Sequence, residues 1–297
     1  PNTDIATTTA IRHTGASFVW TEIDEQTYNM DPARIEEKIT SRTKAILPVH
    51  LYGLPADMGR ITSIAKAHNL RVVTDNALAV GARYRGARSA AIGDTGCFSF
   101  SYSKGLGTYG DAGMVVTDDP ALADMLRSLE IYNNETLPMD TIGKVAILDR
   151  FNYRIEGHYT RLVSIHAAIL RERLKVLDSW ITKRRNTAQL YNRHLSDLDV
   201  ILPFEPSESE HVFRNFPIRV KERDRVRKEL AEGGIPTGVH YAPPLHLQPV
   251  YGGQGFGVGS FPTTERVARE VVTLPMHPFL SEAHVAQIST ALQRCIE

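Results

Sequence analysis

Lys104 stands where the apolar residues Cys97, Phe98 and Phe100 give way to Gly105, Gly107 and Gly110. A lysine at the junction of a buried strand and a glycine-rich turn is partly desolvated. Desolvation disfavours the ammonium form, and the neutral amine is a nucleophile able to condense with an aldehyde. Asp75 closes the apolar run 70–75, which places it at the carboxyl end of a strand, where open α/β sheets bind ligands. A carboxylate there can keep a pyridine nitrogen protonated and so make the ring an electron sink. Ser99, five positions before Lys104, offers a hydroxyl to a phosphate. Singly, each has a plainer role: lysines near glycines are usually solvated, and strand-end aspartates usually cap turns or helices. Together the three have the chemistry of a pyridoxal phosphate site.

Positioning such residues needs a sheet. Short apolar runs at 17–20, 45–49, 71–74, 97–100 and 114–117 read as strands. Met58, Ile61, Ile64 and Ala65 recur at helical spacing and predict a covering helix over 57–68. The alternation predicts a sheet with helices on both faces. Residues 133–149 break the pattern and read as a mobile loop at the site. The stretch 162–195 reads as a long connecting helix with Ile165, Ile169, Leu174 and Leu177 on one stripe. Beyond Asp197, segments 212–220, 223–232, 235–240 and 262–273 predict alternating strands and helices. The expected organisation is a large domain over 1–150, a connecting helical segment over 151–196 and a small C-terminal α+β domain over 197–297.

With 297 residues and 42% hydrophobic content, the chain can bury a sizeable core and form more than one folding unit. Its 34 basic and 34 acidic residues cancel, so no global field favours nucleic acid or an anionic membrane, and any phosphate recognition is local. Cys97 and Cys295 cannot build a disulfide framework, which fits a reducing cytoplasm. No apolar run is long enough to span a bilayer. His50, His240, His246 and His277 lack zinc-like spacing with cysteines, so no metal is expected; His50 reads as a capping or site-lining residue. The glycine-rich stretch 252–259 lacks the following Lys-Ser/Thr of a phosphate loop and reads as surface.

The order of several segments resembles the DegT/DnrJ/EryC1/StrS family of sugar aminotransferases from Pro1 almost to Glu297. The segments are IDEQTYNMDP (23–32), RTKAILPVHLYGLPADM (42–58), TDNALAVGARYRG (74–86), the lysine segment 96–117, GVHYAPPLHLQP (238–249) and LPMHP (274–278). The resemblance implies an α/β protein of the pyridoxal-phosphate-dependent transferase type I fold, a three-layer α/β/α large domain followed by a smaller α+β domain. It implies pyridoxal 5′-phosphate held covalently by Lys104, with Asp75 on the pyridine nitrogen and Ser99 on the phosphate. The implied reaction moves an amino group from glutamate or glutamine to a keto sugar, nucleotide-linked in many members, or to a cyclitol, in a cytoplasmic homodimer with sites at the subunit interface. Family members usually carry a further segment before the point matching Pro1. Such a segment could be part of the same polypeptide, come from another chain or be absent from this protein.

Four places depart from the family pattern. Asp4 stands where an aromatic residue usually stacks on the cofactor ring. Leu78 stands where Gln or His usually touches the cofactor's 3′-oxygen, and Val80 replaces a common His; core packing is an equal reading of both. The asparagine that reaches a neighbouring subunit's cofactor phosphate has two counterparts here, Asn152 in the stretch 151–154 and Tyr159 in the stretch 158–161. These departures leave two alternatives on the same scaffold: dehydration or another elimination on a sugar, and a non-catalytic homologue serving as a partner subunit.

Overall fold

The computed structural model describes residues 1–131 and 156–296. In chain order these form α1 (Ile5–His13), β1 (Ala45–Ile46), α2 (Met58–Ala67), β2 (Arg71–Asp75), β3 (Arg83–Tyr84), β4 (Ala87–Arg88), β5 (Thr95–Ser99), β6 (Gly113–Val116) and α3 (Pro120–Ile131). They continue with α4 (Ser164–Leu174), α5 (Leu177–Leu195), β7 (Ser209–Glu210), β8 (Phe216–Arg219), α6 (Arg223–Glu232), α7 (Pro262–Glu270), β9 (Val271–Leu274) and α8 (Glu282–Ile296).

The central sheet has the order β1-β2-β5-β6. Strands β1, β2 and β5 run parallel, with Ile46 opposite Val72 and Asp75 opposite Cys97, whereas β6 is antiparallel to β5 and pairs Gly113 with Ser99. Val72 and Thr74 alternate inward along β2, the two-residue period of a strand. Met58, Ile61 and Ala65 form the buried stripe of α2 and pack with Ile46 and Val72, so the helix covers this end of the sheet. Asp57 starts α2 by accepting from Arg60 N at 3.1 Å. A second sheet, β4-β3-β7, ties the first half of the chain to residues 209–210. The largest apolar cluster lies C-terminal, where Tyr191 and Leu195 of α5 meet Phe216, Ile218, Val226, Val272 and Leu292 around the β8–β9 pair.

Several expectations about local structure need correction. Residues 17–20 form no strand; Phe18 and Trp20 instead join an edge-to-face aromatic cluster with Tyr251. The strand expected at 45–49 stops at Ile46, because Pro48 has no N–H to donate, and Val49 resumes only as an isolated bridge to Asp75. The helix over 162–195 divides at Lys175 and Val176. Its proposed stripe divides too: Leu177 is buried with Leu170, whereas Ile165 and Leu174 are 64% and 58% exposed. Only Gly238 in 235–240 bridges to a strand, and 262–273 is a helix followed by β9. The loop read at 133–149 lies outside the described residues.

Two buried histidines make the fold acid-sensitive. His50 Nδ1 accepts from Ala56 N at 3.1 Å, and His211 Nδ1 accepts from Phe213 N at 2.9 Å. Burial holds His50 down to about 4 and, with Arg185 nearby, His211 down to about 3, from an ordinary 6.5. Below pH 6.5 the unfolded chain binds protons that the folded chain refuses. The stabilisation is therefore complete above 6.5 and lost as pH falls towards 4 and 3. His50 alone accounts for about 3 kcal/mol of this loss. Denaturant unfolding at pH 7.5 and 4.5 should show the fall, and His50→Asn, which keeps an acceptor but no titrating group, should flatten it; an unchanged slope in that variant refutes the assignment.

Candidate active site

Asp75 is the last residue of β2, and its backbone is fixed on the β1 side. Its N–H donates to Pro48 O at 2.9 Å, and its carbonyl accepts from His50 N at 3.0 Å. Its carboxylate is oriented by neutral donors alone: Thr7 Oγ1 donates to Oδ2 at 2.8 Å, and Ala77 N donates to Oδ1 at 2.9 Å. Thr7 comes from α1, and its hydroxyl also lies 3.1 Å from Thr3 Oγ1. No cation pairs with Asp75 among the described residues. A fixed, half-buried carboxylate with no counter-charge is suited to hold a cationic N–H.

Ser99 ends β5, and Lys104 lies in the turn that leads back to β6. That turn is closed at its base, where Phe100 N donates to Ala112 O at 2.7 Å and Thr108 N to Phe100 O at 2.9 Å; within it, Lys104 N donates to Ser101 O at 2.9 Å. Gly107 is required: a Cβ there would fall 2.5 Å from Ser101 O. Two guanidinium groups brace the turn from outside, Arg173 of α4 on the Gly107 carbonyl and Arg214 on the Ser103 carbonyl. Lys104 Nζ makes no ion pair or hydrogen bond among the described residues. The Ser99 hydroxyl only accepts a long bond, 3.5 Å from Ser101 N, which leaves its proton free to donate.

His240 and Tyr241 link the two halves of the site. Tyr52 OH donates to the His240 carbonyl, and His240 Nδ1 lies 3.0 Å from Thr273 Oγ1. Burial pushes the Tyr241 phenol up, and the Asp4 and Asp75 carboxylates add to the rise while Arg214 opposes it. Burial lowers His240, and the positive charges of Arg214 and Lys104 add to the fall while Asp4 opposes it. The pair therefore feels Asp75 and Lys104 at once and remains neutral near pH 7.

Asp4 caps α1 by accepting from Ala6 N at 2.9 Å, and it adds negative charge on the Tyr241 side rather than a stacking surface. Leu78 packs against the cluster of Leu51 and Tyr52, on which Tyr241 also packs, and can give only apolar contact. Val80 packs with Phe100, Leu106 and Leu177, so core packing accounts for it. A cavity of about 20 Å3 bordered by Leu78, Gly105, Arg184 and Arg214 lies behind the lysine turn and holds no more than a water or two. Asn152 lies outside the described residues, and Tyr159 is exposed with φ 50°. Among the described residues no group of three acidic, histidine or cysteine side chains could hold a metal, and no helix is long and apolar enough to cross a membrane.

Pyridoxal phosphate fits this donor set: an uncompensated carboxylate, an unpaired amine and a hydroxyl with a free proton. Sequence reasoning missed Thr7, Arg214 and the roles of His240 and Tyr241. The last two fall in a segment, 239–251, whose loop character was legible; nothing in the sequence points from Thr7 to Asp75, 68 positions away. Thr7→Val should lower turnover about tenfold, the scale of one hydrogen bond to a charged group, while the cofactor stays attached to Lys104. Steady-state rates together with absorbance of the bound cofactor check this, and wild-type turnover would remove Thr7 from the site.

Comparison with known proteins agrees with this geometry. The profile of the DegT/DnrJ/EryC1/StrS aminotransferase family matches residues 1–293. A dTDP-3-amino-3,4,6-trideoxy-α-D-glucose transaminase of Streptomyces venezuelae is 39% identical over 297 residues, covering 100% of this chain and 75% of its own length. A pleiotropic regulatory protein of Geobacillus stearothermophilus is 39% identical over 283 residues, covering 94% of this chain and 73% of its own. The crystal structure of Streptomyces venezuelae DesV in complex with a ketimine intermediate superimposes with a TM-score of 0.93 at 39% identity, over 100% of this chain and 76% of that one. By the family match and these likenesses, this chain belongs to the DegT/DnrJ/EryC1/StrS aminotransferase family and has its pyridoxal-phosphate-dependent transferase fold.

Proposed function

We propose that this protein is a pyridoxal-phosphate-dependent aminotransferase that places an amino group, taken from glutamate or glutamine, on the ketone of a nucleotide-linked sugar. The observation that carries this reading is the meeting of an unpaired amine, Lys104, and an uncompensated carboxylate, Asp75, around one neutral His240–Tyr241 pair. Family membership and about 40% identity to a named sugar transaminase support it. When bound, the cofactor supplies an electron sink for the carbon that loses a proton. Asp75 holds the pyridine nitrogen, with Thr7 and Ala77 N fixing its two oxygens. Ser99 donates to the phosphate. Lys104 carries the cofactor covalently and, once released from it, takes a proton from one substrate carbon and returns it to another position. Tyr241, its phenol raised by burial, stays a hydroxyl donor at neutral pH.

We assign the large domain to 1–150, the connecting segment to 151–196 and the small domain to 197–297, with the site facing the small-domain loop 239–251. We also assign a cytoplasmic homodimer. Exposed Tyr102, Tyr109, Met114 and Val115 lie on the lysine turn and on β6, an apolar surface suited to a second subunit. Incubation with L-glutamate or L-glutamine and a nucleotide-linked keto sugar tests the reaction. Amino-sugar formation supports it. Loss of water from the sugar instead gives elimination, and a folded protein that takes up no cofactor gives the non-catalytic partner.

A further inference from the structure

Arg214 is mounted rigidly. Val212 N donates to Gly53 O at 3.0 Å and Asn215 N to Tyr52 O at 3.2 Å, so the chain on either side is pinned to the turn over 51–53. From that mount its side chain reaches the lysine turn, where Nη2 donates to the Ser103 carbonyl, one residue from Lys104. The Cδ lies 3.7 Å from where a Cβ on Gly105 would be. Its Nε is buried and has no partner. Arg184 sits behind it, donating to the Met276 carbonyl at 3.1 Å and, at 3.4 Å, to the carbonyls of Phe213 and Arg214. Burial lowers both guanidinium groups, Arg184 to about 10, and the charge of Arg214 lowers Arg184 further.

Two largely buried cations thus lie side by side, and neither forms an ion pair among the described residues. Buried charge without a counter-charge is costly, and a guanidinium with an open Nε edge matches a planar carboxylate. The charge of Arg214 is felt by His240 and Tyr241, which also feel Lys104 and Asp75, so the open edge belongs to the same site. Each substrate must bring its reacting carbon to Lys104. In an amino acid the α-carboxylate is one bond from that carbon; in a nucleotide-linked sugar the phosphates are several bonds from the ketone. An anion subsite one residue from Lys104 matches the first.

We propose that Arg214 is a specificity-determining residue that receives the α-carboxylate of the amino donor. This rests on the aminotransferase reading above. The test uses the cofactor-loaded protein after borohydride reduction, with calorimetric binding of 2-oxoglutarate and, separately, of the keto sugar. Arg214→Gln should weaken 2-oxoglutarate about 30-fold, and Arg214→Lys should recover part of the loss, while keto-sugar binding changes less than about twofold. In the unmodified wild-type enzyme, L-glutamate should react with the bound cofactor at least about 30-fold faster than its 1-amide, which needs no variant to fold. Unchanged 2-oxoglutarate binding in Arg214→Gln, equal loss of both ligands, or equal rates for glutamate and its 1-amide overturns the proposal and leaves the aminotransferase reading standing. Failure of the wild-type protein to retain a reduced cofactor on Lys104 removes that reading and the proposal with it.

Discussion

Lys104→Ala should abolish amino-group transfer, lowering turnover by roughly 10^5-fold, the scale seen when a covalent catalyst that also moves the proton is removed. Lys104 is tied to its turn only through its backbone, and its amine has no structural partner among the described residues, so the substitution should leave the fold intact. The expected result is a protein with wild-type unfolding behaviour and no turnover. Borohydride should fix a pyridoxyl group on the wild-type peptide containing Lys104 and on no peptide of the variant. Retained transfer in Lys104→Ala, or a reduced cofactor on another lysine, would discard the site.

Asp75→Asn should follow with a fall of about 1000-fold, comparable to loss of a preorganised electrostatic group. The amide keeps nearly the same shape, but it has one acceptor oxygen for the two donors, Thr7 Oγ1 and Ala77 N, that now hold separate oxygens. It also removes the charge that keeps the pyridine nitrogen protonated. The variant should therefore still carry the cofactor on Lys104 while losing the rate. Cofactor content, kcat and the absorbance of the bound cofactor separate these effects; near-wild-type kcat with normal cofactor content would mean that Asp75 serves only as the bridge to Thr7 and Ala77.

What the sequence made legible was local. Strand β2 ending at Asp75 follows from an apolar alternation over five residues, and α2 from one helical stripe. The placement of Lys104 on a turn follows from the glycines around it. What was hidden depended on distant partners. The Thr7–Asp75 bond crosses 68 positions, and the contact of Arg214 with Ser103 crosses 111, so neither leaves a periodic trace. The apolar run 17–20 misled because an aromatic cluster and a buried strand draw on the same residues; the winner is set by whether a partner strand lies alongside, which one segment alone does not encode. The helix over 162–195 misled in the opposite direction: its continuous period concealed the break at Lys175.

The central sheet joins its members by two unlike routes, and the difference has a kinetic consequence. The β5–β6 hairpin that carries Ser99 and Lys104 closes within a short stretch of chain, whereas Thr7 can grip Asp75 only after a far longer excursion has been gathered in. Partial opening should therefore release the α1 clasp while the amine-bearing hairpin persists. Under mild denaturant, protection of β5 and β6 amides from solvent deuterium should outlast the enzyme's grip on its vitamin.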